Sequence, residues 1–286
     1  MTAKSAKTSP TPQKPARSGR NSDPLAQLNI RRPSAHGGYG WVRDTPDARD
    51  RLYFARLLSE PKGLPSRVDL RALCPAVYDQ GQLGSCTANG IGAAIQFDQM
   101  KLGKESFVPS RLFIYYNERA IEGTVASDSG AQVRDGIKAV VKLGAPPETD
   151  WPYDITKFAD KPPAQAYTDA KQDLVAAYSR VVQQLPQMQG CLAAGYPFVF
   201  GFTVYESFES AAVAASGIMP MPGPKEKSLG GHCVLAVGYD NTKRVFIVRN
   251  SWGTGWGMKG YFTMPYEYIL NSQLASDFWT IQKVTG

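Results

Sequence analysis

The order of secondary-structure signals along the chain constrains the fold more than any other feature. Apolar residues at helical spacing dominate between residues 86 and 143, whereas segments rich in Val, Phe and Ile follow residue 196. The predicted helices and strands are, in chain order, 86–100, 111–118, 132–143, 196–204, 232–237 and 245–249. Helices that precede strands, instead of alternating with them, are typical of an α+β fold. We therefore predict an α+β protein with two lobes.

The first 36 residues differ in composition from the rest of the chain. They contain five Pro and no aromatic residue, and seven Lys or Arg side chains stand against one acid, so +6 of the net charge of +7 lies there. Such a segment buries too little apolar surface to offset its ordering entropy, and we expect residues 1–36 to be a disordered basic tail. Because the tail lacks aromatic residues that could stack on bases, we expect no nucleic-acid partner.

Residues 37–66 form a second region ahead of the main domain. Gly-rich turns and large rings at 37–41 and an amphipathic piece at 52–58 precede a Pro- and Gly-containing linker, and we place the main domain at 67–286. No apolar stretch approaches the ~18 residues of a membrane helix, so we expect no membrane partner. The N-terminus lacks the apolar segment of a signal peptide. We expect a cytoplasmic protein or one exported by a route independent of a signal peptide.

Cysteine and histidine are scarce. The chain has four Cys and two His, without a Cys-x-x-Cys pair, and their spacing fits no common zinc site, so we expect no metal and no cofactor. We expect Cys74, Cys191 and Cys233 to be small buried side chains in a reducing compartment. His36 lies in the polar tail, and any imidazole chemistry therefore falls to His232.

The segment 79–89 carries a candidate nucleophile. A Gly-rich turn delivers Cys86 to the start of a predicted helix. The partial positive charge of a helix N-terminus favours a thiolate, so we predict a lowered pKa for Cys86. Considered alone, however, the segment fits another interpretation better than a nucleophile: a buried cysteine at the start of a core helix.

Two later segments supply a candidate base and its orienting partner. If 232–237 and 245–249 form a hairpin centred on Asn241, then His232 and Asn250 face each other with Cβ atoms ~5 Å apart. The amide oxygen would accept a hydrogen bond from one ring nitrogen and leave the other for a nucleophile. An edge histidine and a turn asparagine are the alternative interpretation of either residue alone.

Taken together, these motifs resemble those of a known family. They are Gln80-Gly-x-x-Gly-Ser-Cys86, Gly231-His232 with Ala236-Val-Gly-Tyr239, and Asn250-Ser-Trp-Gly-Thr-Gly-Trp-Gly257. The chain resembles the papain-like cysteine peptidases over about residues 68–265, and within them the bacterial, xylellain-like branch. His232 follows Cys86 by 146 residues, within the ~130–150 of that family.

The resemblance implies a fold and a chemistry. The fold would have a helical left lobe, an antiparallel, β-barrel-like right lobe and a cleft between them. Cys86 would be the nucleophile, His232 the base paired with it, and Asn250 the residue that orients the imidazole. Gln80 and the backbone N–H of Cys86 would form the oxyanion hole. The enzyme would hydrolyse peptide bonds of proteins or peptides through an acyl-enzyme, as an endopeptidase and a monomer.

The resemblance also implies the walls of the substrate cleft. Gly130 would line the third subsite, where Ala131 replaces the second of two family glycines. Gly231, which follows Gly230, would line an open second subsite, and Trp252 would cover the His–Asn hydrogen bond. Residues 37–66 would cover the cleft as an intramolecular inhibitor of a zymogen-like form.

The chain departs from the family at three positions near the nucleophile. Leu83 and Asp128 stand where the family places two disulfide-bonded cysteines, and Thr87 stands where it has an aromatic residue. The same Cys-His-Asn set could instead serve an acyltransferase or a deamidase that acts on a partner or host protein, or the fold could be a non-catalytic binding module. The G-x-G-x-x-G match at 255–260 lacks a strand-turn-helix frame, so we expect no dinucleotide there.

Overall fold

The computed structural model describes residue 1, residues 38–54 and residues 63–284. The predicted basic tail beyond its first residue, and residues 55–58 of the amphipathic piece, lie outside the described residues. In the described part the α-helices are α1 Cys86–Lys101, α2 Arg111–Glu122, α3 Val133–Leu143, α4 Ala164–Asp169, α5 Leu185–Ala193, α6 Ala211–Ser216 and α7 Tyr266–Ile269. Short 3-10 turns occur at Arg71–Leu73, Ile155–Lys157, Ala170–Gln172 and Glu206–Glu209.

The strands form one large mixed sheet and one short pair. They are β1 Trp41–Val42, β2 Leu52–Tyr53, β3 Arg67–Asp69, β4 Ala131–Gln132, β5 Val175–Val181, β6 Phe198–Tyr205, β7 Ser228–Asp240, β8 Val245–Arg249, β9 Tyr261–Pro265 and β10 Ala275–Val284. The large sheet runs β2-β5-β10-β6-β7-β8-β9, with β3 added beside β7, and only its β2–β5 pair is parallel. The separate pair, β1 with β4, is also parallel.

This arrangement confirms the predicted α+β fold with a helical and a sheet-based lobe. The predicted helices 86–100, 111–118 and 132–143 correspond to α1, α2 and α3. The third ends at Gly144, whose φ of 80° is readily adopted by glycine. The three predicted strands correspond to β6, β7 and β8, and β7 is longer than predicted at both ends.

Helix α1 is the central element of the helical lobe. Nearly every residue of α1 is buried, and it packs between α2, α3 and the face of the sheet. Gly90 permits this approach, because a Cβ atom there would lie 3.2 Å from Val199 and 3.5 Å from the Cys233 sulfur. The glycine that weakens the helix in isolation is therefore the one that lets it seat against β6 and β7.

Two apolar clusters make up the core. One fills the sheet-based lobe with aromatic side chains, among them Phe198, Phe200 and Phe202 of β6. The other lies between α1, α2, α3 and the opposite face of the sheet. Cys86 belongs to the second cluster and Trp252 to the first, so the predicted site lies where the two cores meet.

The predicted register of the β7–β8 hairpin is wrong. His232 pairs with Phe202 on β6, and in β7–β8 Leu235 lies opposite Arg249. Two features shift the register: the connection is four residues long, with Arg244 at φ 54°, and a bulge falls at Val237.

Two further findings apply to residues 38–54 and 63–284. No helix there is both long and apolar enough to cross a membrane. No three His, Cys, Asp or Glu side chains in that part of the chain are grouped so that they could hold a metal ion.

Candidate active site

Cys86 is the first residue of α1, as the Gly-rich turn predicts. It is fully buried, and the backbone N–H groups of Cys233, Gly40 and Thr87 are near enough to its sulfur to act to lower the pKa of the thiol. These donors favour the thiolate, but burial outweighs them and raises the pKa of Cys86 to about 12. The prediction of a lowered pKa is therefore wrong for this form of the chain, because no water reaches the sulfur.

His232 lies on β7, one residue before Cys233, and is also fully buried. Its Nε2 and the Asn250 Oδ1 atom are 2.8 Å apart, so the expected contact forms even though the expected register does not. The Ser251 N–H donates to the same Oδ1 at 2.8 Å, which makes that atom an acceptor and Nε2 the protonated nitrogen. Nδ1 is buried and has no hydrogen-bond partner among the described residues.

The surroundings of His232 keep the ring neutral. The Trp252 indole stacks on the imidazole, with ring centroids 4.8 Å apart and planes 26° apart. Burial lowers the pKa of His232 to about 4, against a smaller opposite effect of the Asn250 hydrogen bond. With the thiol of Cys86 also neutral, this form carries no thiolate–imidazolium pair.

Gln80 lies beside the cysteine with its amide oriented by a neighbour. The Ser251 hydroxyl donates to Gln80 Oε1 at 2.6 Å, which turns Nε2 the other way. Nε2 donates to the Leu83 carbonyl at 2.9 Å and to the Gly38 carbonyl at 2.8 Å. A residue from the N-terminal region therefore takes one of the two hydrogens of this amide.

Residues 38–54, here called the covering segment, begin in the space beside these side chains. The Ala131 N–H donates to the Gly40 carbonyl at 2.8 Å, and β1 continues as a parallel pair with β4. The approach at Gly130 is close: a Cβ atom there would lie 2.0 Å from the Gly40 oxygen, and its φ is +72°. Gly130 and Ala131, the predicted wall of the third subsite, thus contact the chain's own backbone.

Two aromatic side chains of the covering segment flank Gly40. The Tyr39 ring lies 6.0 Å from that of His232 and 6.2 Å from that of Trp252, and its hydroxyl donates to Glu209. The Trp41 ring lies against Gly231, where a Cβ atom would be 2.7 Å from the indole. Seven of the eight predicted site residues therefore lie around the first four residues of the covering segment, and the eighth, Asn250, contacts His232.

An ion-pair cluster fixes the rest of the covering segment. The Asp50 carboxylate accepts from Arg134 Nε at 3.0 Å and Nη2 at 2.5 Å, and from Arg180 Nη1 at 2.9 Å. The side chains of Asp50 and Arg134 are only 10% and 6% exposed. This bidentate pair joins the covering segment to the start of α3.

Asp44 forms a second, less favourable contact of the covering segment. It accepts from the Arg134 backbone N–H at 3.0 Å and from the Trp279 indole at 2.8 Å. Burial, and then the nearby charge of Asp277, raise the pKa of Asp44 to about 6. Burial and the neighbouring Asp277 carboxylate thus make Asp44 easier to protonate in this form.

A family model decides the assignment. The model of papain family cysteine proteases matches residues 64–279, three quarters of the chain. The chain belongs to the papain family of cysteine proteases. The predicted resemblance and the predicted enzyme class are confirmed.

Relatives within the papain family agree. The crystal structure of xylellain, a cysteine protease from Xylella fastidiosa, is 47% identical, with a TM-score of 0.79 over 87% of this chain and 97% of that one. A peptidase C1-like protein of Acanthamoeba polyphaga mimivirus is 42% identical over 86% of this chain and 87% of its own. Cysteine proteinase 3 of Entamoeba histolytica is 28% identical over 71% of this chain and 63% of its own.

Carboxyl groups act at two of the three positions where this papain-family chain departs from the family pattern, Asp128 itself and Thr87, which contacts Glu118. Asp128 accepts the Gly84 N–H through both oxygens, at 3.0 and 3.1 Å, and so holds the cysteine-bearing turn without a disulfide. The Thr87 hydroxyl donates to Glu118 at 2.5 Å, where burial raises the pKa of that acid. The four cysteines are free. Cys191 and Cys233 are buried as predicted, whereas Cys74, also predicted to be buried, is half-buried.

Sequence reasoning missed several residues that shape the site of this papain-family protein. Ser251 orients Gln80, and its place between Asn250 and Trp252 in the motif was the signal that could have found it. Asp50 and Asp277 gave no signal, because each acts on partners more than 80 residues away in the chain.

Proposed function

We propose that this papain-family cysteine protease is an endopeptidase in which Cys86, His232, Asn250 and Gln80 carry the chemistry. The observation that carries the proposal is the orientation of His232. Its Nε2 proton is directed to Asn250 Oδ1, so the neutral ring presents the Nδ1 lone pair, which has no partner in the described part of the chain. A ring held in one tautomer is ready to take a proton from a neighbouring thiol.

The proposed reaction is a two-step acyl transfer. His232 Nδ1 accepts the Cys86 proton, and the sulfur attacks the carbonyl carbon of the scissile bond. The oxygen that gains charge accepts from Gln80 Nε2, which Ser251 already orients, and from the Cys86 N–H. The tetrahedral adduct collapses as the imidazolium protonates the leaving amine. Water, deprotonated by the same nitrogen, then hydrolyses the thioester.

We infer that the form described here is latent, because the covering segment occupies the positions a substrate would need. Its Gly38 carbonyl accepts from Gln80 Nε2, its Gly40 carbonyl accepts from the Ala131 N–H, and the Gly40 backbone is near enough to Cys86 to act on the pKa of the thiol. Gln80 Nε2 and the Ala131 N–H, two donors that a substrate would use, are thus paired with backbone of the same chain. This supports an intramolecular inhibitor in the part of the region 37–66 that is described.

We infer that the direction of the covering segment protects it from being cut. The second subsite, at Gly231, takes residues that precede the scissile bond in a substrate. The covering segment places its later residue, Trp41, there, while its earlier residue, Tyr39, lies against His232 and Trp252. A chain that enters the second subsite with its later residue runs opposite to a substrate.

The proposed function is tested in the full-length chain with Tyr39→Ala and Trp41→Ala, because the wild-type cleft is covered. With this variant we expect peptide fragments whose masses sum to the substrate plus one water, and labelling of Cys86 by an epoxide-type thiol inhibitor. Adding Cys86→Ala should abolish both, and adding His232→Ala should slow labelling strongly at mildly acidic pH, because the imidazole no longer stabilises the thiolate. A one-dalton increase of an uncut peptide would instead indicate a deamidase, and an adduct with an amine an acyltransferase. Equal labelling with and without His232→Ala would contradict a thiolate–imidazolium pair in the uncovered form.

The covering equilibrium should respond to pH through Asp44. The pKa of Asp44 is about 6 when covered, above its ordinary 3.8, so acidification through this window favours the covered form, which holds the proton. His232 does not oppose this effect: in the uncovered form its ring takes a proton from Cys86, and this transfer leaves the number of bound protons unchanged.

Asp44→Asn should remove this effect. We expect the covering of wild type to become firmer from pH 6.5 to 4, and the covering of Asp44→Asn to change little over the same range. Hydrogen exchange of the amides of residues 38–54, corrected for intrinsic rates, measures this difference. Parallel pH profiles of the two proteins would contradict the assigned role of Asp44.

A further inference from the structure

The Trp41 side chain fills a recess in the second subsite whose wall is bare backbone. A Cβ atom at Gly201 of β6 would lie 1.9 Å from Trp41 Cε2, and one at Gly231 of β7 would lie 2.7 Å from Cε3. The indole therefore lies flat on two neighbouring strands with no side chain between. Such a recess accepts a wide planar group and would be narrowed by any residue other than glycine at either position.

The far end of the recess is a carboxylate held there by an unusual backbone. Asp277 has a φ of 61°, a left-handed conformation that few residues other than glycine adopt, although Asp tolerates it better than most. It lies in a register shift of β10 between Ser276 and Trp279. A bulge of this kind re-aims a side chain, and here it directs a carboxylate that is only 1% exposed towards the indole.

The hydrogen bonds of Asp277 divide between the covering segment and the enzyme body. Oδ2 accepts from Trp41 Nε1 at 3.0 Å and from the Asp44 N–H at 2.8 Å, both in the covering segment. The other oxygen, Oδ1, faces Arg180 Nη2 at 3.5 Å. When the covering segment leaves, Oδ2 therefore loses both donors recorded for it while the carboxylate stays in place.

We propose that the second subsite selects a large planar side chain that ends in an N–H donor, tryptophan or arginine, and that Asp277 is the residue that determines this specificity. The inference rests on the proposed peptidase function, since it concerns the substrate of that site. Trp41 is then a built-in example of the preferred side chain. A phenylalanine would fill the recess but leave the buried carboxylate without its donor, which a site built around that hydrogen bond penalises.

The test uses the full-length chain with Tyr39→Ala and Trp41→Ala, the opened chain, in which the recess is vacated. Its substrates are peptides that differ only at the second residue before the cleaved bond: Trp, Arg, Phe or Leu. We expect kcat/KM for Trp and Arg to exceed that for Phe and Leu by about tenfold or more, as loss of a hydrogen bond to a charged group predicts. In the opened chain with Asp277→Leu this ratio should fall to about one or invert.

Further variants separate specificity from stability and from catalysis. Ser276 lies next to Asp277 in the same bulge. Ser276→Ala in the opened chain should leave the order of kcat/KM among the four peptides unchanged. Asp277→Asn keeps an acceptor without the charge, so it should retain the preference for Trp over Phe and lose that for Arg over Leu. If Asp277→Leu does not fold, the proposal is tested instead by two ratios of kcat/KM measured with Asp277→Asn, Trp over Phe and Arg over Leu. Affinities of the four peptides for the opened chain with Cys86→Ala should follow the same order without any turnover.

Two failures are distinguishable. An opened chain that binds Trp and Arg peptides in the expected order but cleaves none would contradict the proposed peptidase function and support this inference. An opened chain that cleaves the peptides, with Phe and Leu ranked highest or with an order unaffected by Asp277→Leu and Asp277→Asn, would overturn the inference alone.

Discussion

Replacing Tyr39 and Trp41 by alanine in the full-length chain is expected to raise the rate of Cys86 alkylation at least a hundredfold at pH 7. The Tyr39 side chain is 3% exposed against His232 and Trp252, and the Trp41 ring fills the recess at Gly201 and Gly231. Truncation of a buried aromatic side chain to alanine costs about 3–5 kcal/mol, and about 1.4 kcal/mol changes an equilibrium tenfold. The covered form bears these losses, whereas the uncovered form does not.

The rise should have two sources that can be separated. More chains are uncovered at equilibrium, and in each uncovered chain water reaches Cys86 and His232, so the burial that raises the pKa of one and lowers that of the other is relieved. Alkylation should therefore increase in rate and also shift its pH profile to lower pH. The kinetics of an epoxide-type inhibitor between pH 4 and 9 measure both.

Leu52→Ala is the matched control for this prediction. Leu52 belongs to the same covering segment, but its side chain is 48% exposed and it joins the sheet through its backbone in β2. Its alkylation rate should stay within about twofold of wild type, as expected for a surface substitution. Wild-type rates in the Tyr39/Trp41 double variant would mean that the aromatic rings do not hold the covering segment in place.

The sequence predicted the parts of this fold and site that depend on neighbours in the chain. The helix at Cys86, the strand at His232 and the turn at Gly144 follow from local spacing and from glycine, so their places agree with the structure. The register of the β7–β8 hairpin differs from the predicted one. It is set by a bulge at Val237 and by the left-handed conformation of Arg244, and no local sequence pattern predicts either feature reliably.

The electrostatic state of the site could not be predicted for a different reason. A cysteine at a helix N-terminus is expected to have a lowered pKa, and its N–H donors do act in that direction. The sign of the shift is set by burial, and the burial comes from Tyr39, Gly40 and Trp41, about 45 residues earlier in the chain. An aromatic cluster indicates that something apolar must cover it, but not which surface does so.

Removal of the Asp50 carboxylate is expected to open the cleft from a distance. Asp50 is part of a bidentate pair with Arg134, 10% and 6% exposed, and it also accepts from Arg180. Asp50→Ala would leave the buried Arg134 guanidinium without its bidentate partner in the covered form, where the Thr45 carbonyl and the nearby charge of Asp44 remain, at a cost of up to about 3–5 kcal/mol for breaking a buried pair. In the uncovered form water solvates the same guanidinium. The equilibrium should therefore shift towards the uncovered form roughly a hundredfold or more.

Asp47→Ala supplies the comparison for Asp50→Ala within the same covering segment. Asp47 pairs with Arg49, whose side chain is 87% exposed, and both residues belong to the covering segment, so covering neither forms nor breaks this pair. Its removal should leave the Cys86 alkylation rate within about twofold of wild type, whereas Asp50→Ala should accelerate it strongly. Raising the salt concentration should affect wild type only weakly, because a buried pair is little screened. Equal rates for Asp50→Ala and Asp47→Ala would assign the stability of the covered form to the aromatic contacts alone.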